Sequence, residues 1–444
     1  MALQAEATAL RAENERLRRE LEAWKRGFRE RSKRRSSTPE RRTATGVRKR
    51  PGRKGGHTGV RRDTPTHVDH EQAHPLPDVC PCCGGAVEPT GEQASPLVVD
   101  VPPVRPEVTR HTTPVGRCAR CRHRVVTKLP GAAPNGCTVA PVTLGPNVQA
   151  MAVSLRFEAH VPLGKIGSFL GTWLGVPVGA SALAQLFARM RQRSAASYDE
   201  LQAAVRTAPV VGIDETGMRQ DGVRGWLWLA RTEGISLFRA ELSRGAWVAE
   251  AMLGQGFAGV VVSDFYGVYT AQTGWTHAYC GAHLERDAKK LVELQPCTET
   301  KAFRTRLRTF YEAGAAAQKS GDPKAQRGVR IRLGKLAHSP NFVGCLDVVK
   351  LQERLRVHHD GLVLFTTRAD VPATNNATER DLRDYARHRA MTGGTRSRSG
   401  SETLAHWMSL AQTLQKQALS LGAFVRGVWQ AHLQGRAPPS ALQA

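Results

Sequence analysis

The sequence predicts a multidomain α/β protein with an N-terminal coiled coil, a zinc ribbon, a helical region and a mixed-sheet core interrupted by a helical insertion. Three observations predict it. Two short β-branched runs, Val210-Val211-Gly212-Ile213 and Gly259-Val260-Val261-Val262-Ser263, each end at an aspartate, Asp214 and Asp264. Two Cys-x-x-Cys pairs lie upstream of them. Leu3, Leu10, Leu17 and Trp24 recur at heptad spacing before both.

At 444 residues the chain has room for roughly three domains. Its formal charge of +25 calls for a polyanionic partner, nucleic acid first and an anionic membrane second. The longest uncharged stretch, Leu129 to Leu155, is broken by Pro130, Pro134, Pro141 and Pro146, so no segment is expected to span a membrane. The charged, helical N-terminus has no apolar signal-peptide core. Nine cysteines then fit metal ligands or buried thiols better than disulfides, and the expected compartment is the cytoplasm.

Residues 1–31 form the coiled coil, with Leu21 and Phe28 on the complementary position and Asn14 as a polar residue in the seam. Self-association is the expectation; a lone amphipathic helix is the alternative. Residues 32–75 are a basic disordered linker, too poor in apolar side chains to fold alone. Its clusters include Lys33-Arg34-Arg35 and Arg48-Lys49-Arg50, which makes Arg34, Arg35 and Lys49 candidate phosphate contacts. Residues 76–130 hold Cys80, Cys83, Cys118 and Cys121. Each pair is a tight knuckle, and two knuckles complete a tetrahedral zinc site. Cys82 could replace a neighbour only by distorting its knuckle. The runs Val98 to Val101 and Val104 to Thr113 are expected strands between the pairs.

Residues 140–205 read as helices. Lys165–Leu174 and Ser181–Arg193, joined across Gly175, fit either a DNA-binding helix-turn-helix or plain helical packing. From 206 to 284 the period changes to strands: Val210 to Asp214, Trp226 to Ala230, Ser236 to Ala240, then a helix over Ala246–Leu253, the strand ending at Asp264, and His277 to Cys280. That order is the order of a ribonuclease-H-like domain. A helical insertion occupies 285–364. The core's second part, 365–395, carries Glu379 on a helix, and 396–444 is a C-terminal helical region.

Two strand-end aspartates and a helical glutamate make a cage of hard oxygen ligands. Such a cage suits Mg²⁺ or Mn²⁺, and a metal pair about 3.5–4 Å apart supports in-line phosphodiester chemistry. Glu215 and Asp221 are expected as solvated turn residues, and Asp381 is rotated off the face of Glu379. Arg380, Arg383 and Arg387 share a helical face beside the acids and are candidate DNA contacts. Cys280 and His283 form a Cys-x-x-His half-site that cannot hold zinc tetrahedrally alone. They are either a packed thiol and a helix-start histidine or, for His283, a phosphate contact. Trp226 and Trp228 alternate as sheet residues do, with stacking on an unpaired base as the alternative. Gly393-Gly394-Thr395-Arg396 is expected as a mobile basic loop.

Taken in order, these motifs resemble the insertion-sequence-66 family of bacterial DDE transposases. The residues that carry the resemblance are the zipper, Gly55 to Gly59, the two Cys-x-x-Cys pairs, Asp214-Glu215-Thr216, Gly225 to Trp228, Ser263 to Tyr269, Cys280 to Leu284 and Asn375 to Arg380. The resemblance covers nearly the whole chain. It implies a ribonuclease-H-like catalytic core with Asp214, Asp264 and Glu379 as the matching triad. It also implies metal-dependent cleavage and strand transfer of an insertion sequence, a homodimer or higher oligomer on DNA, and small accessory transposition proteins. Two rival classes are a zinc-dependent DNA-binding regulator with a dead core and a structure-specific nuclease.

Overall fold

A computed structural model describes residues 63–112, 114–126, 142–342 and 345–443. The heptad segment lies outside the described residues, as do Arg34, Arg35 and Lys49. The described chain divides into two units between Val98 and Val99.

In the first unit, Val79 and Ala86 form an antiparallel bridge across the Cys80 knuckle. Early in the second, β1 (Val115–Arg117) and β2 (Arg124–Val126) pair across the Cys118 knuckle. Among the described residues the expected strands Val98 to Val101 and Val104 to Thr113 do not form: Val98, Val101 and Val108 are 91, 76 and 87 % exposed. β-branched residues stabilise strands by packing on a neighbour, and these valines are exposed instead.

Four helices follow: α1 (Pro146–Phe157), α2 (Leu163–Leu174), α3 (Ala180–Arg193) and α4 (Ala195–Arg206). Pro146 opens α1 where a missing N–H costs nothing. Gly175 ends α2 in the left-handed region, at φ 64°. Leu183, Leu186, Phe187 and Met190 bury one face of α3 in the main core.

The chain then builds a five-stranded sheet from β3 (Val210–Gln220), β4 (Val223–Arg231), β5 (Ser236–Glu241), β6 (Val260–Ser263) and β7 (Thr276–Tyr279). The spatial order is β5-β4-β3-β6-β7; the first three strands are antiparallel, and β6 and β7 run parallel to β3. Helix α5 (Ala246–Leu253) returns the chain from β5 to β6, and the short α6 (Gly267–Thr270) precedes β7. The edge strand β5 is covered by α13 (Arg398–Lys416). Two of its N–H groups donate to hydroxyls of that helix, Phe238 to Ser409 at 2.8 Å and Ser236 to Thr413 at 3.1 Å. An edge that would otherwise template pairing with another chain is thereby satisfied.

Helices α7 (Gly281–Leu294), α8 (Thr298–Ser320), α9 (Pro323–Ala337), α10 (Leu346–Val357) and α11 (His359–Thr367) form an insertion. Its own core, including Phe303, Phe310, Leu333 and Leu355, meets the sheet at Val260, Val262 and Tyr279. Helix α12 (Asn376–Thr392) returns to β3, and α13 and α14 (Leu421–Gln434) close the main core. The loop at 393–396 is tied down: Thr395 N–H donates to Arg219 O and Asp221 N–H to Thr395 O. That corrects the expectation of a mobile loop. Among the described residues no helix is long and apolar enough to cross a membrane.

Candidate functional site

Sheet register brings the two aspartates together. Gly212 pairs with Val262 in the parallel β3–β6 ladder. Side chains two residues apart share a face, so Asp214 and Asp264 project from the face of Gly212 and Val262. Strand β3 runs on to Gln220, so Asp214 lies within a strand and not at its end as expected. Its neighbour β6 ends at Ser263, and the opening is made by the shorter partner.

Glu379 reaches this face through a latch that the sequence did not advertise. Asn375 caps the approach to α12: its amide donates to Ile213 O at 3.0 Å, and its side-chain oxygen accepts from Thr378 at 2.5 Å. Gly212 makes room for the latch. A Cβ there would lie 2.2 Å from Thr378 Oγ1 and 2.7 Å from Asn375 Oδ1. Glu379 then sits in the first turn of α12.

The acids crowd one another. The Asp214 carboxyl is pushed up to about 7, first by burial, then by Glu215, and further by Asp264 and Glu379. Like charges in a desolvated notch favour a bound cation, and oxygen donors favour a hard one. Around Glu379 stand Arg286 at 3.4 Å, Arg383 at 3.5 Å and His283 at 3.8 Å. Arg380, Arg383 and Arg387 are all exposed on α12, with Arg387 also paired to Asp384 at 2.9 Å. Asp381 is committed elsewhere, to Lys416 at 2.7 Å and Arg231 at 3.2 Å.

Cys280 and His283 gain a third neighbour. Among the described residues, the one set of three metal-type donors within 4.8 Å of one another is Cys280, His283 and Glu379, not the three acids. The Cys280 thiol is pushed up by burial, which disfavours a thiolate ligand. Its sulfur instead accepts the Asn375 N–H at 3.0 Å, so it ties the start of α7 to the latch.

Glu215 was expected in solvent and is buried, its side chain 2 % exposed. Arg244 binds its Oε1 through Nε at 2.7 Å and Nη2 at 2.5 Å, and the Tyr269 hydroxyl donates to its Oε2. The only sequence signal was its place directly after Asp214. Trp228 is fully buried while Trp226 is half-buried beside Arg244. Asp221 is an exposed turn residue, as expected.

The two cysteine knuckles share a local plan. Cys80 N–H donates to Gly85 O at 2.8 Å and Gly84 N–H to Cys80 O at 2.9 Å; Cys118 N–H donates to His123 O at 2.8 Å and Arg122 N–H to Cys118 O at 2.9 Å. Gly84 and Arg122, each one residue past the second cysteine, are left-handed, at φ 73° and 62°. The Cys80 thiol is lowered by the N–H groups of Cys82 and Cys83, and Cys118 by those of Cys121 and Arg120. Backbone donors aimed at sulfur favour the thiolate that binds metal.

Fold and site together define a mixed α/β protein with a crowded carboxylate notch and a pair of zinc-type knuckles. Residues 141–403, more than half of the chain, match the transposase IS66 family, and residues 77–122 match the zinc-finger binding domain of transposase IS66. The chain belongs to the IS66 transposase family. It is also 30 % identical over 187 residues to the uncharacterized protein y4jO of Sinorhizobium fredii (strain NBRC 101917 / NGR234), a stretch covering 42 % of this chain and 57 % of that protein. The chain thus spans little more than half the length of this curated relative.

Proposed function

We propose that the protein is a DDE-type DNA transposase whose ribonuclease-H-like core cuts DNA strands and joins them to a target. One arrangement supports this reading: Asp214 and Asp264 share a sheet face, the Asn375 latch brings α12 and Glu379 to it, and the Asp214 carboxyl is pushed up first by burial, then by Glu215, and further by Asp264 and Glu379. Such a cluster is suited to Mg²⁺ or Mn²⁺. Two bound ions would supply Lewis-acid activation of the attacking oxygen and stabilisation of the leaving one. In this reading Asp214 would contribute to holding both ions, and Asp264 and Glu379 would help to hold one each. The chain's own cations do the rest. Arg286, Arg383 and His283 border Glu379 and hold the phosphate in line, with Arg380 and Arg387 extending the basic face along α12. Cys80, Cys83, Cys118 and Cys121 supply thiolates for Zn²⁺. Arg34, Arg35 and Lys49 add phosphate contacts, and the heptads join two chains, one for each DNA end. Small accessory proteins are further partners.

The test is to incubate the full chain with DNA flanking its own gene and Mg²⁺, and to map the ends produced. Cleavage followed by joining of 3′ ends to target DNA is expected. Cleavage without joining would leave a nuclease, and binding without cleavage would leave a regulator.

A further inference from the structure

Arg244 lies between β5 and α5, outside every motif that suggested DNA contact. Its guanidinium carbon stands 3.8 Å from the centroid of the Tyr266 ring and 4.4 Å from that of Trp226, and Arg224 lies over the same Trp226 ring at 4.7 Å. Glu215 takes Nε and Nη2 through one carboxylate oxygen. Stacked and bonded in this way, the group has lost its rotamer freedom before any ligand arrives. Its side chain is nevertheless 38 % exposed. The bond to Glu215 uses the Nε side of the guanidinium and leaves the Nη1 end. A guanidinium edge matches a phosphate with two donors.

The stack is tied to the acids at both ends. Glu215 follows Asp214 directly, and Tyr266 N–H donates to Asp264 Oδ1 at 2.9 Å. Alternation along β3 sends Glu215 to the sheet face opposite Asp214. Arg244, bound to Glu215 and stacked on Tyr266, therefore borders the notch from the face opposite Asp214.

We propose that Arg244 is a preorganised contact for a DNA backbone phosphate, one that flanks the scissile position, with exposed Arg224 beside it as a second positive charge. The proposal rests on the reading of the protein as a DNA-strand enzyme and deepens it. Neutralising Glu215 alone would need one cation and no aromatic faces. The stack and the exposed edge fit a ligand in addition.

Salt titration of binding separates the two roles. The probe is a short DNA duplex of arbitrary sequence, bound by the full zinc-loaded chain. Each phosphate contact contributes about 0.9 to the slope of log affinity against log salt. R244L should lower that slope by about 0.9. Because R244L leaves Glu215 buried without its cation, the double variant E215Q/R244L is measured beside it. Removing both charges together leaves no unpaired buried charge, and the same loss of slope is expected. E215Q alone keeps the stacked guanidinium and should keep the slope. A wild-type slope in both R244L and E215Q/R244L would overturn the proposal and leave Arg244 as the counter-charge of Glu215. A wild-type chain with no salt-dependent affinity for duplex would overturn the DNA reading as well.

Discussion

The knuckle segment and the sheet notch are both suited to metal, and they reach that state in opposite ways. Around Cys80 and Cys118 the described chain has two short strands, one bridge and mostly exposed side chains. Nothing apolar there fixes the thiols, so metal must supply the folding energy. At Asp214 the order is reversed. Val211 and Ile213 are fully buried on either side of Gly212, Trp228 is fully buried across the ladder, and the Asn375 latch is hydrogen-bonded throughout. The fold holds Asp214 desolvated and near Glu215, Asp264 and Glu379, which together push its carboxyl up, so these acids are positioned at a cost in stability. In one region metal would make the fold; in the other the fold positions the acids before any cation arrives.

Stripping zinc should have the largest effect, and on the knuckle segment alone. Structural zinc is worth on the order of 10 kcal/mol in small modules. Chelation, or C83S, should release local order over residues 76–126 while the sheet's cooperative unfolding stays in place. Hydrogen exchange resolved along the chain checks this, and equal loss of protection in β3 and β6 would remove the contrast. The second largest effect is on chemistry. D214N, D264N or E379Q should each lower strand cleavage by on the order of 10³-fold, the several kcal/mol a metal ligand set contributes. Duplex binding should be retained, as a gel-shift titration would register.

The raised Asp214 carboxyl gives a pH signature. The folded chain holds this proton more tightly than the unfolded chain does. Its contribution is therefore complete below the ordinary carboxylate range and is lost as pH rises through about 7. In metal-free protein the loss amounts to about 4 kcal/mol at most. D214N should match wild type near pH 4 and exceed it in denaturant midpoint near pH 8. The smallest effect is at the latch. G212A forces a Cβ into Thr378 and Asn375, which should destabilise by about 1–3 kcal/mol and displace Glu379. Reduced cleavage with zinc content unchanged would show it.

The two regions also differ in how far sequence alone could describe them. Cysteine spacing declares a knuckle because its geometry is local. Likewise the runs before Asp214 and Asp264 and the helix Ala246–Leu253 form where the apolar pattern puts them. The latch joins residues 162 positions apart, and no local period encodes such a contact. The burial of Glu215 is hidden from the sequence for the same reason: its counter-charge Arg244 and its hydroxyl partner Tyr269 arrive from after β5 and after β6. Val98 to Val108 erred the other way, since strand propensity without a packing partner does not make a strand.

The most direct measurement of that contrast is a Mn²⁺ titration of the zinc-loaded full chain, with binding and far-ultraviolet circular dichroism followed together above and below pH 7. The expected result is binding without change in secondary structure, stronger above the pH at which Asp214 loses its proton, and abolished in D214N. Equal Mn²⁺ affinity in wild type and D214N, or binding that creates secondary structure, would contradict a cation site built by the fold around Asp214.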